Sequence, residues 1–327
     1  MTNASNTKDA LKPLYQTDVL GPDYEQATLN FPDDYEGQVT ATLIRKQAAQ
    51  TTHKAVLYLH GFIDYFFQTE MAEQFNQHGF DFYALDLRKY GRSHLPHQAY
   101  YNVREISEYD AEITQALDII GAEGHDTVLL CGHSTGGLTT TLYAAHHPAH
   151  PLIKALWVNS PFYDFNMHPI KKKLGLPGLS RVGKICPNLK FPSELSKCYV
   201  TSLHHSLKGE WDFNLEWKPV TYPMVRLSFV RAIFEAQKEI HQGTSLNIPT
   251  LVMHSHQSTN PKKWHKSAQS SDVILDVKHI DKYARKIKGD VTIREIKNGV
   301  HDLVLSKKSV RETVYQQLFE WLKQKGI

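Results

Sequence analysis

The sequence predicts an α/β fold, a mostly parallel central sheet flanked by helices. Three patterns carry that expectation. Short apolar runs rich in β-branched residues recur along the chain without the strict alternation of a half-exposed strand. Such strands are buried on both faces, which is the habit of parallel pairing. Helical periodicity lies between those runs, and strand–helix alternation builds a layered α/β sheet. The alternation breaks over residues 161–248, where Pro and Gly punctuate a basic stretch and an aromatic one follows.

After a polar lead-in, TATLIRK (40–46) opens the strand series. KAVLYLHGF (54–62) follows, then FDFYALDL (80–87), TVLLCG (127–132), IKALWVNS (153–160), PTLVMHS (249–255) and VTIREI (291–296). In EISEYDAEITQALDII, Ile106, Tyr109, Ile113, Leu117 and Ile120 recur at spacings of three and four and define a helix face. The C-terminal stretch aligns Val310, Val314, Leu318 and Trp321, with Ser309 and Glu312 at capping-box spacing. A further helix is expected over MVRLSFVRAIFEAQKEI. Residues 161–248 read as an insertion between two core strands, leaving 1–160 and 249–327 as the core.

At 327 residues the chain can bury a large core, and a net charge of +3 gives no electrostatic footprint for nucleic acid. Cys131, Cys186 and Cys198 form no CxxC pair, so neither a disulfide framework nor a zinc site is implied and a reducing cytoplasm fits. The opening MTNASNTKDALKPLY lacks the apolar stretch of a secretory signal. No apolar run is long enough to span a bilayer.

The stretch LLCGHSTGGL (129–138) carries the chemistry. Gly132-His133-Ser134-Thr135-Gly136 matches G-x-S-x-G, in which a serine sits on a tight strand-to-helix turn. The residues two before and two after must be tiny, because larger side chains would collide across that turn. A glycine-rich βα turn is the plainer reading, but the strand TVLLC before it and the helix-compatible LTTTLYAAHH after it favour a nucleophile. The helix N-terminus also directs free amides toward an anion formed beside Ser134.

Together with the upstream HGF, LDLRKYGRS and a late GVHD, this motif resembles the α/β-hydrolases. The nearest branch is that of the monoacylglycerol lipase and lysophospholipase-like serine hydrolases, the serine aminopeptidase S33 type. The resemblance covers roughly residues 35–160 and 249–327. It implies an α/β-hydrolase fold with a cap inserted after what that family counts as its sixth core strand, here IKALWVNS, the fifth of the runs above, so that 161–248 forms the cap. It also implies cofactor-free, metal-free cleavage of a small-molecule or lipid-like carboxylic ester through an acyl-enzyme. A thioesterase, peptidase or acyltransferase would use the same residues, and a non-catalytic binding protein would share the fold. Serine in the elbow argues against dehalogenases and epoxide hydrolases, which carry aspartate there. The oxyanion donors implied are the amides of Thr135 and Phe62, the latter on the loop His60-Gly61-Phe62. His60 supports that loop, His133 packs locally, and His301 stands at the position of the general base.

The triad acid is displaced. The resemblance expects it directly after PTLVMHS, where this chain reads HSHQSTNP. Asp272 is the first acid downstream, and its interval to His301 is close to that of the relatives. An inserted loop over roughly 256–271 would leave the strand and return to present it. Asp164 and Asp276 are the alternatives, and a helix N-cap is the non-catalytic reading of Asp272. His254 and His256 lack a third ligand at close spacing, so no metal is expected there. Lys171-Lys172-Lys173 reads as a solvated face or as a steering patch for anionic lipid. Tyr65, Trp211 and Trp217 are candidates to line an acyl pocket.

Overall fold

The computed structural model describes residues 12–168, 170–193 and 195–327; most of the polar N-terminal stretch, 1–11, lies outside the described residues. The strands are β1 (Gln16–Asp18), β2 (Gly21–Asp34), β3 (Gly37–Lys46), β4 (Lys54–Leu59), β5 (Asp81–Asp86), β6 (Thr127–His133), β7 (Ile153–Asn159), β8 (Lys190–Phe191), β9 (Val225–Arg226), β10 (Thr250–Ser255) and β11 (Val291–Ile296). Nine of them form one sheet in the order β1-β2-β3-β5-β4-β6-β7-β10-β11. Pairing is antiparallel from β1 to β5 and parallel from there to β11. The central strands β4 and β6 are buried at every position after the first, which is why they read as continuous apolar runs.

The helices are α1 (Thr69–Gln77), α2 (Asp110–Ala122), α3 (Thr135–His146), α4 (Leu176–Ile185), α5 (Cys198–Leu203), α6 (Leu227–Gln242), α7 (Val277–Ala284) and α8 (Lys308–Gln324). One apolar layer joins the sheet to α2, α3, α6 and α7 through Ile113, Leu138, Ile233 and Ile280. The other joins it to α1 and α8 through Phe75, Val314, Leu318 and Trp321. This is the mostly parallel, helix-flanked sheet expected from the sequence.

Two elements differ from the sequence expectation. β2 lies in what reads as lead-in, because it is half-exposed and antiparallel and carries Pro22 and Pro32. Both prolines are tolerated, one near the strand start and one where the register with β3 shifts. The capping box expected at Ser309 and Glu312 does not form. α8 is capped at Lys307, placing Ser309 inside its first turn, and neighbouring Ser306 Oγ accepts the Val300 N–H at 3.0 Å. A capping box does form at Glu105 and Glu108, ahead of α2.

Residues 161–248 leave the sheet after β7 and return at β10. Their two short strands pair only with each other, and α4 packs on α6 where Gly183 meets the Leu227 backbone.

Candidate active site

The turn from β6 into α3 is set by sterics. A Cβ on Gly132 would lie 2.3 Å from Gly136 O, and one on Gly136 would lie 2.4 Å from His60 O. Only glycine fits at either position. The serine between them is forced to φ 55° and ψ −115°, a region that L-residues avoid. The turn is pinned by Ser134 N–H donating to Asn159 O at 3.0 Å and by Phe162 N–H donating to Ser134 O at 2.9 Å. α3 is buried along most of its length, and its threonine hydroxyls donate back to the Thr135 and Gly137 carbonyls.

His301 follows β11 on the opposite side of Ser134. Its Nε2 lies 3.0 Å from Ser134 Oγ, and its Nδ1 lies 2.8 Å from Asp272 Oδ2. The three side chains come from residues far apart in sequence and are all buried. The chain after β10 loops out and returns to pair with its own start through a single parallel bridge between Ser258 and Asp272. Thr259 N–H donates to Asp272 O at 2.9 Å, and Asp272 N–H donates to Gln257 O at 3.0 Å. The loop thereby delivers Asp272 beside the end of β10. The second carboxylate oxygen, Oδ1, accepts the Ile274 and Leu275 N–H groups, each at 2.8 Å.

Gly61 lies against the elbow. A Cβ there would sit 3.1 Å from both Ser134 Cβ and His133 Cδ2, so a side chain would crowd Ser134. Neither the Phe62 N–H nor the Thr135 N–H donates to another protein group among the described residues. His60 Nδ1–H donates to Gly61 O at 2.7 Å, and its Nε2 accepts the Leu87 N–H at 3.1 Å. Burial lowers its pKa, which keeps Nε2 free to accept.

A family model described as serine aminopeptidase, S33, matches residues 50–308. The chain belongs to that family. It is an α/β-hydrolase-fold hydrolase. The AB hydrolase superfamily protein YisY of Bacillus subtilis (strain 168) is 22% identical over 214 residues, 62% of this chain and 74% of YisY. Epoxide hydrolase 4 of Mus musculus is 31% identical over 107 residues, a stretch spanning 32% of this chain and 28% of that relative. Among solved structures, a soluble variant of monoglyceride lipase from Saccharomyces cerevisiae, in complex with a substrate analog, superposes with a TM-score of 0.70. It is 16% identical, with 95% of this chain and 99% of that one covered, and the likeness speaks for the fold.

In this S33 hydrolase Ser134 and His301 open onto a cavity of about 260 Å³. Its wall is largely apolar, with Phe162, Leu176, Leu179, Tyr222, Phe229 and Ile233 from the 161–248 segment. The aromatics expected there are elsewhere. Trp211 donates its Nε1–H to Leu305 O at 2.9 Å, with the Arg311 guanidinium over its ring. Trp217 packs edge-on against Tyr65, whose hydroxyl accepts the Asn214 N–H at 2.7 Å. None of the three lines the cavity; they fill the seam between the 161–248 segment and the sheet. Asp164 pairs with Lys172, and Asp276 caps α7 through the Lys278 N–H at 3.0 Å, so neither reaches His301. His254 Nδ1–H donates to Ser255 O at 2.7 Å, and His256 Nδ1 accepts the Asn298 N–H at 3.0 Å.

Two supporting residues escape the sequence reading. Asn159 closes β7, and its Nδ2–H donates to Asp302 Oδ1 at 2.7 Å. Gln68, the N-cap residue of α1, donates to Asp302 Oδ2 at 3.0 Å, so the residue after His301 is anchored to the ends of both β7 and the β4–α1 loop. The signals were a polar residue ending an apolar strand and the Asp of GVHD.

Burial, partly offset by Asp302, pushes the His133 imidazole down to about 4. Its Nδ1–H donates to Asn159 O at 3.1 Å. In the unfolded chain the same ring titrates near the usual 6.5. Between those values the unfolded state binds the extra proton, so stability falls as pH drops through that window. Urea unfolding at pH 7 and pH 4.5 is expected to show a smaller loss for His133→Asn than for the parent, by about 2 kcal/mol. Equal losses in the two proteins would rule this contribution out.

Proposed function

We propose that this S33 hydrolase is a serine esterase acting on lipid-like carboxylic esters, in the manner of an esterase, lysophospholipase or monoacylglycerol lipase. One observation carries the reading: an unbroken hydrogen-bond chain, Asp272–His301–Ser134, ends in an apolar cavity. In this mechanism His301 Nε2 takes the Oγ proton as Ser134 attacks the ester carbonyl, and Asp272 holds Nδ1–H and stabilises the imidazolium. The Phe62 and Thr135 amides receive the oxyanion. His301 then protonates the departing alcohol, and water, deprotonated by the same ring, cleaves the acyl-enzyme.

The cavity wall favours an ester over a peptide amine. An aminopeptidase needs a free carboxylate to hold its substrate's α-ammonium. Asp64 is the acid in the wall among the described residues, and Lys218 Nζ already neutralises it at 2.7 Å. Residues 161–248 act as the cap, since they supply most of the apolar wall. The outer side of the cap presents Ile170, Leu174, Val182 and Ile185 to solvent beside Lys171, Lys173 and Lys184, a surface suited to lipid aggregates. Among the described residues no helix is long and apolar enough to cross a membrane. Cys131, Cys186 and Cys198 are free thiols, in keeping with a cytoplasmic setting.

The test is a panel of p-nitrophenyl esters from acetate to decanoate. Turnover without added metal or cofactor is expected, with kcat/KM rising along the series as acyl carbons enter the cavity. Leu179→Trp fills part of that wall and is expected to lower the decanoate-to-acetate ratio of kcat/KM about tenfold. A ratio identical to the parent's would remove the cap segment from the acyl site, and no turnover of any ester would remove the esterase reading.

A further inference from the structure

The cap reaches the catalytic centre through one buried charge. The side chains of Lys218 and Asp64 are 3% and 2% exposed, and Lys218 Nζ lies 2.7 Å from Asp64 Oδ1. No other Asp, Glu, Lys or Arg among the described residues lines the cavity that holds Ser134 and His301. An ion pair moved from water into such a wall adds little stability over a well-packed apolar pair. Its physical effect is to fix one arrangement of two backbones, because either charge left alone there is strongly disfavoured.

The backbone being fixed is an unusual one. Ile63, between Phe62 and Asp64, has φ +52° and is buried. A β-branched residue in the left-handed region is an outlier, since its Cβ crowds the neighbouring carbonyl. Free of restraint, the Phe62-Ile63-Asp64 turn would relax and re-aim the Phe62 amide. The restraints come largely from the cap. Asp64 Oδ1 accepts the Tyr65 N–H at 3.0 Å as well as the Lys218 ammonium. The Tyr65 hydroxyl accepts the Asn214 N–H, and the Trp217 ring sits edge-on at 4.9 Å. Lys218 N–H donates to Asn214 O at 2.9 Å and closes the turn that presents both residues.

We propose that Lys218 is a positioning residue for ester hydrolysis: by pairing with Asp64 it holds the Ile63 turn that aims the Phe62 N–H at the oxyanion. The cap therefore completes half of the oxyanion site as well as covering the acyl group. The inference rests on the assignment of Ser134 as nucleophile and Phe62 as donor.

Lys218→Met, Lys218→Arg and the uncharged double variant Lys218→Met/Asp64→Asn are compared with the parent on p-nitrophenyl acetate. Lys218→Met is expected to lower kcat on the order of 10²-fold, the size of losing one oxyanion donor. KM should change less than about threefold, since the donor acts in the transition state. Affinity for a trifluoromethyl ketone, which forms the tetrahedral oxyanion adduct, should fall by a similar factor, while affinity for the matching alcohol should not. The pH profile of kcat/KM keeps its acid limb, because Asp272 and His301 are untouched. The double variant should lose no more than the single one, since Lys218 acts through Asp64. Lys218→Arg should recover at least about tenfold of the loss. A folded Lys218→Met with kcat within about threefold of the parent overturns the proposal, as does a loss confined to KM. If Lys218→Met fails to fold with Asp64 stranded, the double variant strands no charge and decides by the same thresholds. An inactive Ser134→Ala beside a normal Lys218→Met rejects the role of Lys218 alone; an active Ser134→Ala overturns the esterase mechanism and this inference with it.

Discussion

Ser134→Ala is expected to lower kcat on p-nitrophenyl acetate on the order of 10³-fold or more while leaving the fold intact. Alanine keeps the Cβ that the elbow already holds at φ 55° and removes only Oγ, so the tight packing around Gly132 and Gly136 is undisturbed. What disappears is the atom 3.0 Å from His301 Nε2, and with it the acyl-enzyme. The oxyanion amides remain, which leaves residual catalysis over water rather than none. A fluorophosphonate probe reports the same chemistry without a substrate, because its phosphorus is attacked by an activated serine and the adduct is stable. The parent should be labelled on a peptide containing Ser134 and the alanine variant should not. Unchanged turnover in a pure Ser134→Ala preparation would sink the assignment.

The parts legible in the sequence are those fixed by local rules. Six of the seven apolar runs are strands buried along most of their length, and their shortness, β-branched content and flanking glycines and prolines reveal them, whereas the edge strand β11 is mostly half-buried or exposed. The elbow is legible because steric crowding at Gly132 and Gly136 dictates residue type. The parts not legible depend on where distant chain segments meet. β2 alternates over Ala27, Leu29 and Phe31 as a half-exposed strand does, but Pro22, Pro32 and the polar residues around this short stretch make it read as lead-in. Trp211, Trp217 and Tyr65 lie on the seam rather than in the cavity, and an aromatic residue carries no sequence mark separating those fates. Lys218 looks like any surface lysine until the cap folds it onto Asp64. Ser309 shows the converse case: a capping spacing read correctly as a pattern is not used, because Ser306 is drawn to the Val300 amide and α8 starts earlier.

Asp272→Asn is expected to cost roughly 10³–10⁴ in kcat while preserving the fold, as amide replacement of the acid does in other triads. The hydrogen-bond pattern says why so small a change matters. Asp272 Oδ1 accepts two backbone N–H groups, from Ile274 and Leu275 at 2.8 Å each, and Oδ2 accepts His301 Nδ1–H at 2.8 Å. An asparagine must keep its oxygen at the Oδ1 position, because an NH2 there would face two donors. Its NH2 then points at His301 Nδ1 and makes that nitrogen an acceptor. The ring proton moves to Nε2, which now faces the Ser134 hydroxyl with no lone pair to take its proton. The variant is therefore folded, correctly assembled and in the wrong tautomer. Asp276→Asn should leave kcat near the parent's, since Asp276 caps α7 and an amide oxygen caps nearly as well. Asp164→Asn should act on stability, because it weakens the partner of Lys172 at a distance from His301. A triad acid displaced from the strand end is also what a non-catalytic binding protein of this fold could carry, so this comparison bears on both readings. A near-normal Asp272→Asn beside a crippled Asp164→Asn would refute the assignment and move the acid to the end of β7.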